Sequence, residues 1–333
     1  MKVLYAIQGT GNGHLSRALD IIPILQKKCH LDILVSGCQA DLDLPFNVKY
    51  KCHGLSFIFG KKGGIDFIKT FVQLQSRAFY EQVRQLPVEN YNLIISDFEP
   101  ISAWACYFKK KPCIALSHQS AVLATGAPLP KKEDIIGKFI LKNYAPASTH
   151  YGFHFQRFSP NTFTPVIRSQ VRELTPTNKG HYTVYLPAFD DELLLKKLAS
   201  FAEVKWEVFS KHNRHPIRKK NIQIKPINNT LFVQSLAESE GVLCGAGFET
   251  PAEALYLQKK LLVIPMKGQF EQHCNAAALA TMGVPVIKSL KSKNLPIIAD
   301  WLQHGQAIQV HYPNETEQII DFILENHAIK VSH

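Results

Sequence analysis

The chain has 333 residues, 46% of them hydrophobic and 20% charged, a length that predicts about two domains of roughly 150 residues each. That composition excludes a disordered chain and a disulfide- or metal-stapled miniprotein. The formal net charge is +11, and residues 1–166 hold 19 basic against 11 acidic side chains where the remainder holds 19 against 16, so the positive field is concentrated in the first half and admits a nucleic acid, an anionic membrane surface or an anionic substrate.

The first predicted element is a buried strand, Lys2 to Gln8. Its apolar run, Val3 to Ile7, is too short for a secretory signal and lacks a cleavage site. An amphipathic helix follows from Ser16 to Lys27. Further strands are predicted at Leu31 to Ser36, Tyr91 to Ser96 and Pro112 to Ser117, with helices at Ile65 to Gln85 and Ile101 to Lys109. From Phe155 to Gly180 no sustained period survives Pro160, Pro165 and Pro176, which places the domain junction there. A second alternation then runs through strands at His181 to Leu186, Lys205 to Phe209, Val242 to Cys244 and Leu261 to Pro265. Its helices fall near Asp191 to Phe201, Leu231 to Ser239, Thr250 to Gln258 and Phe270 to Met282. A last helix, Glu315 to Asn326, can pack on either domain. The expected fold class is therefore α/β, with two doubly wound parallel domains over residues 1–165 and 166–333. No apolar run approaches the roughly 18 residues that cross a bilayer. Seven cysteines without a C-x-x-C pair point to a reducing, cytoplasmic compartment.

Two glycine-bearing turns sit where chemistry belongs in such a fold. The first strand runs into Gly9-Thr10-Gly11-Asn12-Gly13-His14, and a strand-to-helix turn rich in glycine lets backbone N–H groups and a helix N-terminus approach an anion. The spacing departs from the dinucleotide fingerprint, and no Lys follows the last glycine as a phosphate loop requires. His14 falls in the first helical turn, where the dipole favours the neutral imidazole that a general base needs; a capping histidine is the alternative. Asp97 and Glu99 follow the strand Tyr91 to Ser96. Asp97 is a candidate to orient His14, and Asp97, Glu99 and His118 are each alternative bases. The second turn is Gly245-Ala246-Gly247-Phe248-Glu249-Thr250-Pro251, with Thr250 and Pro251 expected as N-cap and first helical residue. Glu253 either closes a capping box with Thr250 or meets the vicinal hydroxyls of a ribose. After Pro265 the chain supplies Lys267, Gly268, Gln269, Glu271, Gln272 and Asn275, a polar set suited to a sugar and equally to a solvated helix start.

The stretches Gly245 to Leu255 and Pro265 to Ala276 resemble the nucleotide-sugar signature of GT-B glycosyltransferases. Together with the Gly9 to His14 loop, they resemble the branch that holds the peptidoglycan lipid-intermediate N-acetylglucosaminyltransferases and the plant-type uridine-diphosphate glucosyltransferases. Through Ser96-Asp97-Phe98-Glu99-Pro100, Gly245 to Glu249 and Gln269-x-Glu271-Gln272-x-x-Asn275-Ala276, the whole chain is similar to a group of predicted bacterial and archaeal glycosyltransferases. The resemblance implies two Rossmann-like domains facing across a cleft, with the donor held by the second and the acceptor approached by the first. It implies His14 as base, with Gly11, Asn12 and Gly13 near the donor. Gly247, Phe248, Glu249 and Thr250 would lie around the diphosphate, Glu253 on the ribose, and Glu271 and Gln272 on the transferred sugar. Gly245 stands where the plant signature often opens with His, and Glu271 where Asp is usual. It further implies inversion, a nucleotide sugar as co-substrate and no cofactor or metal. Arg168 and Arg172 are candidate cations for the leaving diphosphate, or solvated linker charges.

Two other functions fit parts of the pattern. A sugar-nucleotide epimerase shares the scaffold but needs a further acid at the anomeric centre. A basic nucleic-acid-binding protein would use Lys61-Lys62, Lys109 to Lys111, Lys131-Lys132 and Arg214 to Lys220, yet no recognition motif accompanies these clusters. In a transferase with a glycan, lipid-linked or small-molecule acceptor, the same clusters could hold the first domain to anionic lipid. The segment Phe57 to Leu74 is one candidate for lying on that surface, with core packing as its other fate.

Overall fold

A computed structural model describes residues 1–10, 12–37, 44–53 and 77–327. The segment Phe57 to Leu74, Gly11 and the first part of the helix expected from Ile65 lie outside the described residues.

The chain divides into two compact units: residues 1–127, 134–168 and 313–333 form the first, and 128–133 and 169–312 the second. In the first unit, strands β1 (Lys2–Gln8), β2 (His30–Ser36), β3 (Tyr50–Cys52), β4 (Leu93–Asp97), β5 (Ile114–Leu116), β6 (Thr149–Phe153) and β7 (Thr162–Phe163) make one sheet in the order 3-2-1-4-5-6-7. All pairings in it are parallel. Helices α1 (Asn12–Lys28), α2 (Arg77–Gln85), α3 (Pro100–Phe108), α4 (His118–Val122) and α5 (Ile135–Asn143) connect these strands. Strand β1 is buried from Val3 through Gln8, as expected of a central strand covered on both faces. Helix α1 begins four residues before the expected start, which brings Asn12, Gly13 and His14 inside its first turn.

The second unit repeats the plan. After the single turn α6 (Ser169–Arg172), strands β8 (His181–Tyr185), β9 (Lys205–Ser210), β10 (Ile217–Lys219), β11 (Ile222–Pro226), β12 (Gly241–Gly245) and β13 (Lys260–Ile264) pair in the order 10-11-9-8-12-13. Only the β10–β11 pairing is antiparallel among them. The connecting helices are α7 (Asp191–Leu198), α8 (Asn229–Glu238), α9 (Glu249–Tyr256), α10 (Phe270–Thr281) and α11 (Leu295–His304). Its core gathers Val184, Leu243 and Leu262 from the sheet with Trp206 and Trp301.

The last helix, α12 (Thr316–His327), belongs to the first unit. It buries Ile320 and Ile323, and Glu317 and Asp321 both reach Lys28 at the end of α1, at 2.9 and 2.8 Å.

Five short strands, β3, β6, β7, β10 and β11, are not marked by the sequence pattern. Strand β6 shows the reason. Its sequence, Thr-His-Tyr-Gly-Phe, carries little apolar periodicity, and Gly152 is required by tertiary packing alone. A Cβ there would lie 2.5 Å from the Ala121 backbone N and 2.7 Å from the Ser117 carbonyl oxygen.

Candidate active site

Each sheet reverses its strand order once, between β1 and β4 in the first unit and between β8 and β12 in the second. A doubly wound sheet opens a crevice beyond the carboxyl ends of its strands at that point. His14 and Asp97 collect at the first of these places, and Gly245, Gly247, Thr250 and Gln272 at the second.

In the first unit, His14 follows β1 and Asp97 ends β4, and His14 Nδ1 lies 2.8 Å from Asp97 Oδ1. Asp97 is fully buried and Arg17 is 1% exposed. Arg17 stands one helical turn after His14, on the same face of α1. Its Nη2 donates to Oδ1 and Oδ2 of Asp97 at 2.7 and 2.9 Å, and its Nε to Oδ2 at 3.2 Å. Burial pushes the Asp97 carboxyl up, but Arg17 and His14 together outweigh it and hold the group below the usual carboxylate value. An ionised carboxylate only accepts, so His14 carries a proton on Nδ1 and turns Nε2 the other way. Nε2 faces the side-chain amide nitrogen of Gln119 at 3.3 Å. The result is an oriented imidazole whose Nε2 is directed away from the buried ion pair.

The backbone around this pair is held in an uncommon shape. Phe98 has φ of 55°, a left-handed conformation rare for a bulky residue and often found at functional sites. Its buried ring stacks on Tyr144 at 4.8 Å and lies parallel to the His14 ring at 6.4 Å. Glu99 is turned to the backbone instead. Its Oε1 and Oε2 accept the Ile101 and Ser102 amides at 2.8 and 2.6 Å, which caps α3. Burial raises its carboxyl, against the stabilising pull of the Ser102 and Ile101 groups. His118, fully enclosed, uses Nδ1 on the Phe153 carbonyl at 2.8 Å. Gly9 is a packing glycine, since a Cβ would meet the Ser36 carbonyl oxygen and Val35 at 3.0 Å.

In the second unit, a cavity of about 100 Å³ lies at the β8–β12 switch point. It is walled by Tyr185 to Phe189 after β8, by Gly245, Gly247 and Thr250, and by Ile264, Met266 and Gln272 after β13. The sequence-marked residues Gly245, Gly247, Thr250 and Gln272 thus surround one space. A Cβ on Gly247 would have nothing within 4 Å, so its backbone borders open room. Gln272 Oε1 accepts the Met266 amide at 2.8 Å, and the buried Asn275 donates through Nδ2 to the Ala246 carbonyl at 3.1 Å. Asn275 therefore braces the glycine turn from behind.

The capping scheme expected for this turn differs. Helix α9 starts at Glu249, with Phe248 in the cap position and no side-chain cap bond, so Thr250 does not cap it and no Thr250–Glu253 box closes. Pro251 becomes the third helical residue, where its missing N–H still has no intrahelical partner to lose. Phe248 and Glu253 are buried, while Glu249 and Glu271 stay partly exposed. Gln269 occupies the cap position of α10 without a side-chain bond. Arg168, buried, closes the first unit's stretch 134–168. Arg172 donates to the Tyr312 carbonyl at 3.0 Å and lies over the Tyr256 ring at 5.0 Å.

Sequence reasoning missed Arg17, Gln119 and the Tyr185 to Phe189 wall. Only Arg17 left a signal: a lone cation three residues after His14, on a helix whose Leu15, Ala18, Ile21 and Ile22 are apolar. Among the described residues, no helix is long and apolar enough to cross a membrane.

Two such doubly wound units in one chain make the GT-B architecture. The model of glycosyl transferase family 1 matches residues 1–304, and the chain belongs to that family. Among solved structures, MurG of Acinetobacter baumannii matches with a TM-score of 0.57 at 14% identity, over 97% of this chain and 99% of that one. UGT2 of Phytolacca americana, complexed with UDP-2-fluoro-glucose and pterostilbene, matches with a TM-score of 0.59 at 13% identity, over 100% and 95%. The glycosyltransferase SnogD from Streptomyces nogalater matches at 0.55 and 12%, over 98% and 99%. At these identities the likeness is one of fold. No curated protein matches the chain. The comparisons lend no support to the epimerase alternative.

Proposed function

We propose that the chain transfers a hexosyl or N-acetylhexosaminyl group from a nucleoside diphosphate sugar, with a uridine diphosphate sugar as the first donor to test, to an acceptor hydroxyl. The observation that carries this reading is the His14–Asp97 contact, which orients the imidazole with Nε2 turned away from the carboxylate at the switch point of a glycosyltransferase fold. The acceptor hydroxyl takes the position now held by the Gln119 amide and gives its proton to Nε2. Its oxygen bonds to the anomeric carbon opposite the leaving group. The carbon–oxygen bond to the diphosphate breaks with its electron pair on the phosphate oxygen, and the configuration inverts. Asp97 fixes the tautomer and balances the imidazolium that forms, the part a carboxylate plays beside a catalytic histidine.

The donor belongs to the second unit's cavity. Its diphosphate lies along Gly247, Phe248, Glu249 and Thr250, where backbone N–H groups and the start of α9 meet the leaving charge without a metal ion. A helix terminus supplies only ~0.3–2 kcal/mol to an anion, so a cation is also needed, and Arg168 is the candidate. Glu253 takes the ribose hydroxyls. Glu271 and the amide nitrogen of Gln272 meet the transferred sugar.

A panel of uridine- and guanosine-diphosphate sugars in a thermal-shift assay, with and without a chelator, tests the donor. A specific donor at about a hundred times its Kd adds about 2.7 kcal/mol to apparent stability, and the shift should survive chelation. No shift with any member of the panel ends the nucleotide-sugar reading.

A further inference from the structure

The second unit holds another cavity, which the proposed donor site does not use. It has a volume of about 340 Å³ and lies between helix α7 and the β10–β11 hairpin. Lys196 of α7 and Lys219 and Lys220 of the hairpin border it, together with Glu192, Leu195 and Ile222. None of these residues lines the glycine-walled cavity. The two spaces sit at opposite edges of the sheet. Ile222 opens β11 beside Trp206, the second residue of β9, so the lysines stand where the parallel strands begin, whereas Gly245 and Ile264 stand where β12 and β13 end.

Three ammonium groups share the rim with one carboxylate. Lys196, Lys219 and Lys220 have no ion pair among the described residues. Glu192 stands one helical turn before Lys196, a spacing at which pairs form, yet it closes none with it. The surrounding segment adds to the field, since residues 211–221 hold five Lys or Arg and no Asp or Glu. The hairpin is also fixed in place. Asn221 donates through Nδ2 to the carbonyls of Phe201 and Val204 at 2.9 and 2.7 Å, and Lys220 before it has φ of 54°, a left-handed shape that only glycine adopts without strain. Like charges held together repel, and an anion of high charge density relieves that repulsion.

We propose that this cavity binds a chain of two or more phosphates, as carried by inorganic polyphosphate or by a nucleoside triphosphate. Its volume falls in the range of small-molecule sites, about 300–1,000 Å³. Lysine is a compact point charge with three donors, suited to phosphate oxygens that approach from several directions. Leu195 and Ile222 add an apolar stretch of wall for the base of a nucleotide, and Glu192 accepts from its hydroxyl or amino groups. A duplex offers the same phosphates but spreads them along a rod that a hollow of this size does not admit. Binding here is independent of the transfer reading, because the cavity is a separate one and the measurement needs neither donor nor acceptor.

The test is isothermal titration calorimetry of the full chain with sodium tripolyphosphate, with ATP and with inorganic phosphate, free of added metal. Tripolyphosphate is expected to bind at least about tenfold tighter than single phosphate and to weaken as salt rises from about 0.05 to 0.3 M. Tighter binding of ATP assigns the nucleotide, and equal binding assigns the inorganic chain. Lys196→Glu with Lys219→Glu should lower the affinity by about tenfold or more, with the unfolding temperature unchanged. Lys220→Gly should weaken binding while raising the unfolding temperature, a split that a lysine with a structural role alone does not give. Gly247→Phe, in the other cavity, should bind tripolyphosphate as wild type. The proposal is overturned if the wild-type chain takes up no tripolyphosphate, if the Lys196 and Lys219 double variant binds it as wild type, if Gly247→Phe abolishes the binding, or if the chain binds duplex nucleic acid and no tripolyphosphate.

Discussion

The two sheets share a doubly wound plan, yet they equip their switch points with opposite chemistry. At the β1–β4 switch point the first unit buries an ion pair, Arg17 with Asp97, and sets His14 against it. At the β8–β12 switch point the second unit builds its wall from glycines, apolar side chains, Thr250 and Gln272, with no charged side chain among the lining residues. The difference fits the proposed division of labour between the two places. A base has to hold one tautomer in one orientation, and a buried, doubly bonded carboxylate does that at the cost of desolvating two charges. A donor cavity of the proposed kind needs room and backbone N–H donors for the diphosphate.

Five substitutions break or sharpen this contrast. His14→Ala should cut turnover by about 10²–10⁴-fold, measured as diphosphate release, with little change in unfolding temperature; near-normal turnover would remove His14 as base. Arg17→Met leaves the Asp97 charge buried without its partner and should cost about 3–5 kcal/mol in urea unfolding. Adding Asp97→Asn should recover part of that loss, and an unchanged midpoint in the single variant would refute the coupling.

The ion pair also has a pH signature. Because the folded-state pKa of Asp97 is depressed, its stabilisation is present above the unfolded value of about 3.9 and is lost as pH falls through the folded value. Glu99, raised on folding, acts with the opposite sign. Asp97→Asn should therefore flatten the loss of stability below about pH 4, read as unfolding free energy against pH. In the second unit, Gly247→Phe fills open space and should weaken donor binding by about tenfold or more with stability held; tight binding in that variant would move the donor elsewhere. The smallest effect belongs to Glu99→Gln, which keeps one acceptor for the α3 amides. A stability loss of about 1 kcal/mol is expected, with turnover within a few-fold of wild type, and a His14-sized fall in turnover would reassign Glu99.

Much of the fold was legible before any coordinates. The run Lys2 to Gln8 reads as a strand and is one residue for residue, because a central parallel strand is apolar along its whole length. Strands β8, β9, β12 and β13 and the helices between them lie within a few residues of expectation, because strand and helix periodicities alternate there. Strand β6 was not legible, since its place depends on a glycine that lets α4 press against it. Gln119 was not legible either: nothing near it in the chain relates a glutamine to a histidine 105 positions earlier.

By itself the sequence determined the alternation of elements, the two glycine turns and the polar residues that follow them, because periodicity and turn chemistry are local properties of the chain. Tertiary structure alone decided which of those residues work together. It joined His14 to Asp97 across 83 positions, supplied Arg17 as the counter-charge, turned Glu99 and Asn275 to backbone support, and closed Gly245, Gly247, Thr250 and Gln272 around one space. Orientation, burial and the partner of each charge depend on contacts between distant segments, and those come into being only when the sheet is assembled.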